Sequence, residues 1–118
     1  MPRIVPVPHT PAEASRAPIA ADRRVAGEPQ QAVGNAYSTQ DDRFHCGIWE
    51  GDVGAWRVQY TEHEFCHLLS GRVRLRGDDG SEVLLEAGQS FVVPAGFTGL
   101  WEVLETARKL YAIYEPGD

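Results

Sequence analysis

Five consecutive residues, His63-Glu64-Phe65-Cys66-His67, spell H-E-x-x-H. On a helix this spacing puts two imidazoles on one face to bind zinc while the glutamate activates water, which is metalloprotease chemistry. The surrounding sequence does not supply the helix. An alternating segment precedes the motif, and Leu68-Leu69-Ser70-Gly71 runs straight into another. On a strand, His63 and His67 share a face but stand ~13 Å apart at ~3.3 Å rise per residue, too far to share one ion. Cys66 and His67 suggest a thiolate–imidazole nucleophile instead. Adjacent strand residues point to opposite faces, so without a bulge this pair reads as a buried cysteine beside a half-exposed histidine.

The elements around these residues have a period of two. Ala55-Trp56-Arg57-Val58-Gln59-Tyr60 alternates apolar with polar, and Arg72-Val73-Arg74-Leu75-Arg76 does so more strictly. Gly77-Asp78-Asp79-Gly80 turns the chain, and Ser81–Leu85 returns as the partner strand. Gly51-Asp52-Val53-Gly54 is a similar turn between Gly47–Glu50 and the strand from Ala55. Further strands are expected at Phe91–Val93, Thr98–Leu104 and Lys109–Tyr114. Turns every ~8–12 residues mark an all-β sandwich or barrel with very little helix.

The chain of 118 residues is enough for one domain, and its 24% charged and 42% hydrophobic content is that of a globular protein. A net charge of −6 argues against nucleic acid or anionic lipid as a partner. No apolar run approaches the ~18 residues of a membrane-spanning helix. The first residues lack the continuous apolar stretch of a secretory signal, and two cysteines are too few for a stapled secreted scaffold, so a cytoplasmic protein is expected. Residues 1–36 hold six of the eight prolines and read as an extended, partly irregular arm. At most one helical turn is expected there, within Pro11–Arg16, and residues 37–118 form the barrel.

Two segments carry a family resemblance. Gly88-Gln89-Ser90-Phe91-Val92-Val93-Pro94-Ala95-Gly96 fits G-x5-P-x-G, the core of the second cupin motif, and Gly71 follows Glu64 with the E-x6-G spacing of the first. The chain resembles a small single-domain cupin, a double-stranded β-helix or RmlC-like jelly roll, over about residues 44–115. More narrowly, Glu64–Gly71, Gly99–Glu105 and Arg108–Tyr111 are similar to the subgroup named for the cupin domain of (S)-ureidoglycine aminohydrolase.

The resemblance also says where a metal would sit. Metal-binding cupins offer H-x-H and a glutamate in the first motif and a third histidine in the second. Here the histidine positions fall on Val58, Tyr60 and Gly99, and only the glutamate position, Glu64, is kept. The aminohydrolase is manganese-dependent, so neither its metal nor its activity carries over, and no cofactor is expected. A residual set of Glu64, His67 and His45 would hold Mn, Zn or Ni only if bulges re-aim the imidazoles.

The cupin alignment turns the face of Val58, Tyr60, Glu62, Glu64, Cys66 and Leu68 into the barrel, with Gly99, Trp101 and Val103 opposite. If Lys109, Tyr111 and Ile113 also face inward, the chain's one lysine lies among Glu62 and Glu64, offsetting their mutual repulsion. Tyr60, Glu62, Glu64, Trp101 and Lys109 are therefore the expected ligand-binding residues, with a small polar metabolite as the ligand. Three readings follow: a binding cupin without the three-histidine site; a metal-independent isomerase, epimerase or hydrolase using Glu64 and Tyr60 as acid–base partners on a ureido, keto-acid or sugar-like substrate; and a structural or assembly module. In the last, Trp101 plugs the barrel and Lys109 with Glu64 merely fixes register. Trp49 and Trp56 read as core or interface residues. A homodimer is expected, with the arm exchanged between subunits as one possible mode.

Overall fold

A computed structural model describes residues 1–117. The alternating segments form nine strands: β1 (Ala17–Pro18), β2 (Arg24–Ala26), β3 (Gln30–Ser38), β4 (Phe44–Gly51), β5 (Gly54–Gln59), β6 (His63–Gly77), β7 (Glu82–Glu86), β8 (Ser90–Val93) and β9 (Thr98–Tyr114). One 3-10 turn, Glu13–Ser15, is the only helical element among the described residues. The chain is thus all-β, as the period-two pattern requires. No helix among the described residues is long and apolar enough to cross a membrane.

β6 and β9 pair antiparallel along nearly their whole lengths and form the spine of the fold. The sequence suggests separate strands on either side of residues 105–108, and the structure joins them into a single β9. Register shifts between Leu68 and Val73 bend β6 in the middle. On one side of the bend lies the order β8–β6–β9–β4–β3–β1; on the other, β7–β6–β9–β5–β2. The bulges swap the inward face of β6, from Glu64, Cys66 and Leu68 to Val73 and Leu75, whereas β9 keeps its odd-numbered residues inward on both sides, Gly99, Trp101 and Val103 and then Ala107, Lys109 and Tyr111. Gly71 makes the β6 bend possible. Its φ is +84°, and a side chain there would run into the Thr106 carbonyl oxygen.

The two halves of the curled sheet enclose Trp49, Trp56, Trp101, Leu68, Val73, Leu75, Val103 and Tyr111. The stretch 1–36, read from its prolines as an arm, has no regular structure through residue 12 but holds β1, β2 and most of β3 beyond that. It also sends Ile19, 2% exposed, into the same core. β3 escapes the sequence pattern because Ala32, Gly34 and Ala36 leave one of its faces nearly without side chains. Pro11 lies against that bare face at Gly34, beside Ile48. Arg108 on β9 holds the arm there by hydrogen bonds to the His9 carbonyl and Thr10, while Arg16 pairs with Glu50 and Asp52.

Candidate functional site

At one end of the barrel the sheet leaves a cavity of about 410 Å³. Trp101 does not plug it. The indole is 2% exposed and stands edge-on to Trp49, with ring centroids 5.6 Å apart at 88°, as part of the wall. Trp56, Tyr60 and Tyr111 complete an aromatic lining, and Gln31, Val33 and Asn35 of β3 close one side. Trp49 and Trp56 belong to the core, as their composition suggested, and line the cavity as well. The β3 residues are missing from the sequence-based site because their strand lies within the Pro-rich stretch. The alternation of small residues with Gln31, Val33, Asn35 and Tyr37 was the available signal.

All five expected ligand residues line this cavity. At its floor the Lys109 ammonium lies 3.1 Å from the Glu64 carboxylate, with the two residues 4% and 5% exposed. The ammonium also sits over two indole faces, 4.4 Å from the Trp101 ring centre and 5.1 Å from that of Trp49. Burial alone would lower the lysine pKa. Cys66, Glu64 and Tyr60 around it more than offset that and raise it above its ordinary value, so the ammonium stays charged. Burial pushes the Tyr60 phenol well up, against the Lys109 charge and with help from Glu64. Burial likewise pushes the Cys66 thiol and the Tyr111 phenol up to about 12. At neutral pH Tyr60 and Lys109 are therefore fixed hydrogen-bond donors. The Tyr111 hydroxyl donates to Asn35 Oδ1 at 2.8 Å, and the Trp49 indole to Gln31 Oε1 at 2.8 Å. The buried Trp101 Nε1 has no hydrogen-bond partner.

Glu62 does not reach Lys109 as a second partner. It turns toward Thr61, which donates to it at 3.2 Å and lies 3.5 Å from Glu115. Burial, together with Glu115 and Glu64, raises the Glu62 pKa.

The H-E-x-x-H residues divide between the two faces of β6. Glu64 and Cys66 are buried inside, whereas His63 and His67 face out. His67 meets Ser90 Oγ at 2.8 Å, and His63 accepts the Ala95 N–H at 3.0 Å. No register shift falls between Glu64 and His67, so the residual set of Glu64, His67 and His45 is not assembled, although His45 does line the cavity. Among the described residues no group of three or more His, Cys, Asp or Glu is placed to hold an ion.

The donor chemistry of the cupin metal positions agrees with this. Val58 offers no ligand, and a side chain at Gly99 would collide with the Arg76 carbonyl oxygen. Glu64, the one carboxylate kept, already faces a cation in Lys109. The residues present do not fit a cupin metal.

A curled antiparallel double sheet with two long shared strands and a cavity at one end defines a cupin. Residues 38–111 match the EutQ-like cupin domain family, and the chain belongs to it. The chain is similar in structure to the EutQ protein of Clostridium difficile, with a TM-score of 0.71 at 18% identity over 90% of this chain and 74% of that one. A DUF861-family protein of Pseudomonas syringae pv. tomato gives a TM-score of 0.75 at 22% identity, covering 94% of this chain and 44% of its own. A DUF861-family protein of Thermotoga maritima is 36% identical over 54% of this chain and 73% of its own, with a TM-score of 0.53. No curated protein matches the chain in sequence.

Proposed function

We propose that this cupin binds a small polar metabolite in its aromatic-walled cavity, with Lys109 and Tyr60 as donors and Glu64 as acceptor. The observation that carries this reading is the buried Lys109–Glu64 pair at the floor of a cavity large enough for a small molecule. Ligand pockets combine apolar walls with a few convergent polar groups, and this one has both. A ligand able to accept from the ammonium and donate to the carboxylate matches the pair without separating it. Amide, ureido and hydroxy-acid groups do so. The narrower likeness to the ureidoglycine aminohydrolase subgroup puts ureido compounds first, although the metal chemistry of that enzyme has no counterpart in these residues. Cys46 and Cys66 are both free thiols, in keeping with a cytoplasmic setting.

A thermal-shift panel of ureido acids such as N-carbamoylglycine, keto acids and sugars, confirmed by calorimetry, tests the proposal. One class is expected to raise Tm, and Tyr60→Phe and Trp56→Ala to reduce the shift by weakening binding. If all three classes leave Tm and calorimetry flat, the cavity is not a metabolite site.

A second reading rests on the same triad. Tyr60 kept protonated beside Glu64 is an acid–base couple suited to proton transfer at a carbon next to a carbonyl. Incubating a ligand found in the panel in D2O separates the two readings. Deuterium incorporation lost in Tyr60→Phe supports an enzyme, and its absence in the wild type supports a binding protein.

A further inference from the structure

Hydrogen-bonding groups in the cavity wall are unevenly engaged. The β3 acceptors are taken, Gln31 Oε1 by the Trp49 indole and Asn35 Oδ1 by the Tyr111 hydroxyl. Both His45 ring nitrogens are engaged too, with Ser38 Oγ at 2.6 Å and the Asp42 carbonyl at 2.9 Å. Away from the floor, the groups left for a guest include two sets of donors. The Gln31 amide nitrogen, its oxygen fixed by Trp49, has no hydrogen-bond partner among the described residues. Arg23, between β1 and β2, supplies the other. The arginines of β5, β6 and β9 all pair with carboxylates, as does Arg16. Arg23 lines the cavity and pairs with none among the described residues. Its backbone is held at both ends: the N–H donates to the Ala20 carbonyl at 3.0 Å, and the carbonyl accepts the Arg57 N–H at 2.8 Å. The wall carries two cations, Arg23 and Lys109, and two carboxylates, Glu62 and Glu64. Lys109 neutralises Glu64, and Glu62 turns to Thr61 beside Glu115. The Arg23 charge is left without a counter-ion.

We propose that Arg23 and the Gln31 amide are the carboxylate anchor of this cavity, so that its ligand is a small carboxylic acid whose other end meets Lys109, Tyr60 and Glu64. This rests on the reading of the cavity as a metabolite site and adds the charge and orientation of the ligand. A guanidinium receives a carboxylate through two parallel N–H donors, and an amide nitrogen supplies another without adding charge. The protein carries a net charge of −6, which repels small anions, and an arginine with no internal partner is the local feature that reverses this at the mouth. The spacing suits a short acid. Arg24, next in the chain, faces Trp56 across the β2–β5 ladder, and Trp56 faces Trp101 across the β5–β9 ladder. Two strand spacings, about 10 Å, therefore separate the Arg23 backbone from the strand that carries Lys109. The arginine side chain covers part of that distance and a ligand a few bonds long covers the rest. A neutral ligand would leave the guanidinium with water only, and one lacking a polar far end would leave the floor groups unmatched.

Calorimetry on the full chain with matched acid–amide pairs tests this: N-carbamoylglycine, succinamate and 4-hydroxybutyrate, each against its primary amide. At least one acid is expected to bind, about 10- to 100-fold more tightly than its amide, the range of a hydrogen-bonded charge pair. Arg23→Gln, at an exposed position, is expected to remove that preference by weakening the acid alone, and Arg23→Lys to keep part of it. Arg24→Gln removes the same charge one residue along, outside the cavity wall, and is expected to leave the preference intact. Gln31→Glu keeps an acceptor for Trp49 while replacing the amide donor, and is expected to weaken the acid about 10-fold or more. An amide that binds as well as its acid, or a folded Arg23→Gln protein that keeps the preference, overturns the anchor and leaves the metabolite site standing. Undiminished acid binding in Gln31→Glu overturns the part given to Gln31. If none of the acids binds while a sugar does, the anchor falls alone, and if nothing binds, both proposals fall.

Discussion

Lys109 and Glu64 are not opposite one another in the β6–β9 ladder. Lys109 stands across from Leu68 and Glu64 across from Ile113, so the ion pair spans four positions of register along the barrel axis. The lysine stem lies lengthwise inside the barrel to reach the carboxylate, with its ammonium against two indoles. The pair therefore ties together two levels of the core.

Removing one partner strands the other as a buried charge. Lys109→Met is expected to cost about 3–5 kcal/mol in urea unfolding, and the double variant Lys109→Met/Glu64→Leu to recover most of it. If Lys109→Met unfolds within ~1 kcal/mol of the wild type, the pair does not hold the barrel together.

Alkaline pH acts on the same cluster. The Cys66 thiol titrates at 9.0 in an unfolded chain and at about 12 when folded. Between those values the unfolded chain gives up a proton that the native one keeps, so stability falls as pH rises. The raised Lys109 pKa adds in the same direction above 10.5. Cys66→Ala is expected to flatten the decline between pH 9 and 12, measured as Tm against pH, and an unchanged slope contradicts the assignment.

Acid acts on the arm instead. Hydrogen bonds from Arg108, with Arg16 adding to them, hold the Glu50 pKa below its ordinary 4.5 against the effect of burial. That stability is present above 4.5 and is lost as pH falls through the lower native value. Glu50→Gln is expected to lose Tm at neutral pH and to show a shallower decline from pH ~5 to ~3 than the wild type. Parallel curves would mean that Glu50 contributes nothing through its charge.

Ile19 probes how far the Pro-rich stretch belongs to the barrel. Ile19→Ala is expected to destabilise by about 2–5 kcal/mol, the cost of a cavity in a packed core. Val25→Ala, at 58% exposure in the same stretch, is expected to stay within ~0.5 kcal/mol of wild type. Equal, small effects would detach the stretch from the core.

Much of the site was legible because strand alternation and two glycine-spaced motifs are local signals. They placed Tyr60, Glu62, Glu64, Trp101 and Lys109 around one cavity. Contact between Lys109 and Glu64 was not legible, since a period of two assigns faces and says nothing about which residues meet four positions out of register. The bulges in β6 were hidden for a related reason: both halves of the strand look regular, and only the change of inward face reveals the irregularity. The outward position of His63 and His67 did follow from alternation, whereas the roles of Gln31, Val33 and Asn35 were obscured by the prolines before them.

β9 bonds to β4, β5 and β6, and every one of these precedes it in the chain. A ribosome therefore releases the other eight strands before the one that joins them. Until Lys109 emerges, Glu64 has no counter-ion and Trp49 and Trp56 lack the third indole of their cluster. The nascent barrel cannot close before its final strand has been made, so it passes through synthesis with its aromatic interior open to solvent and to chaperones.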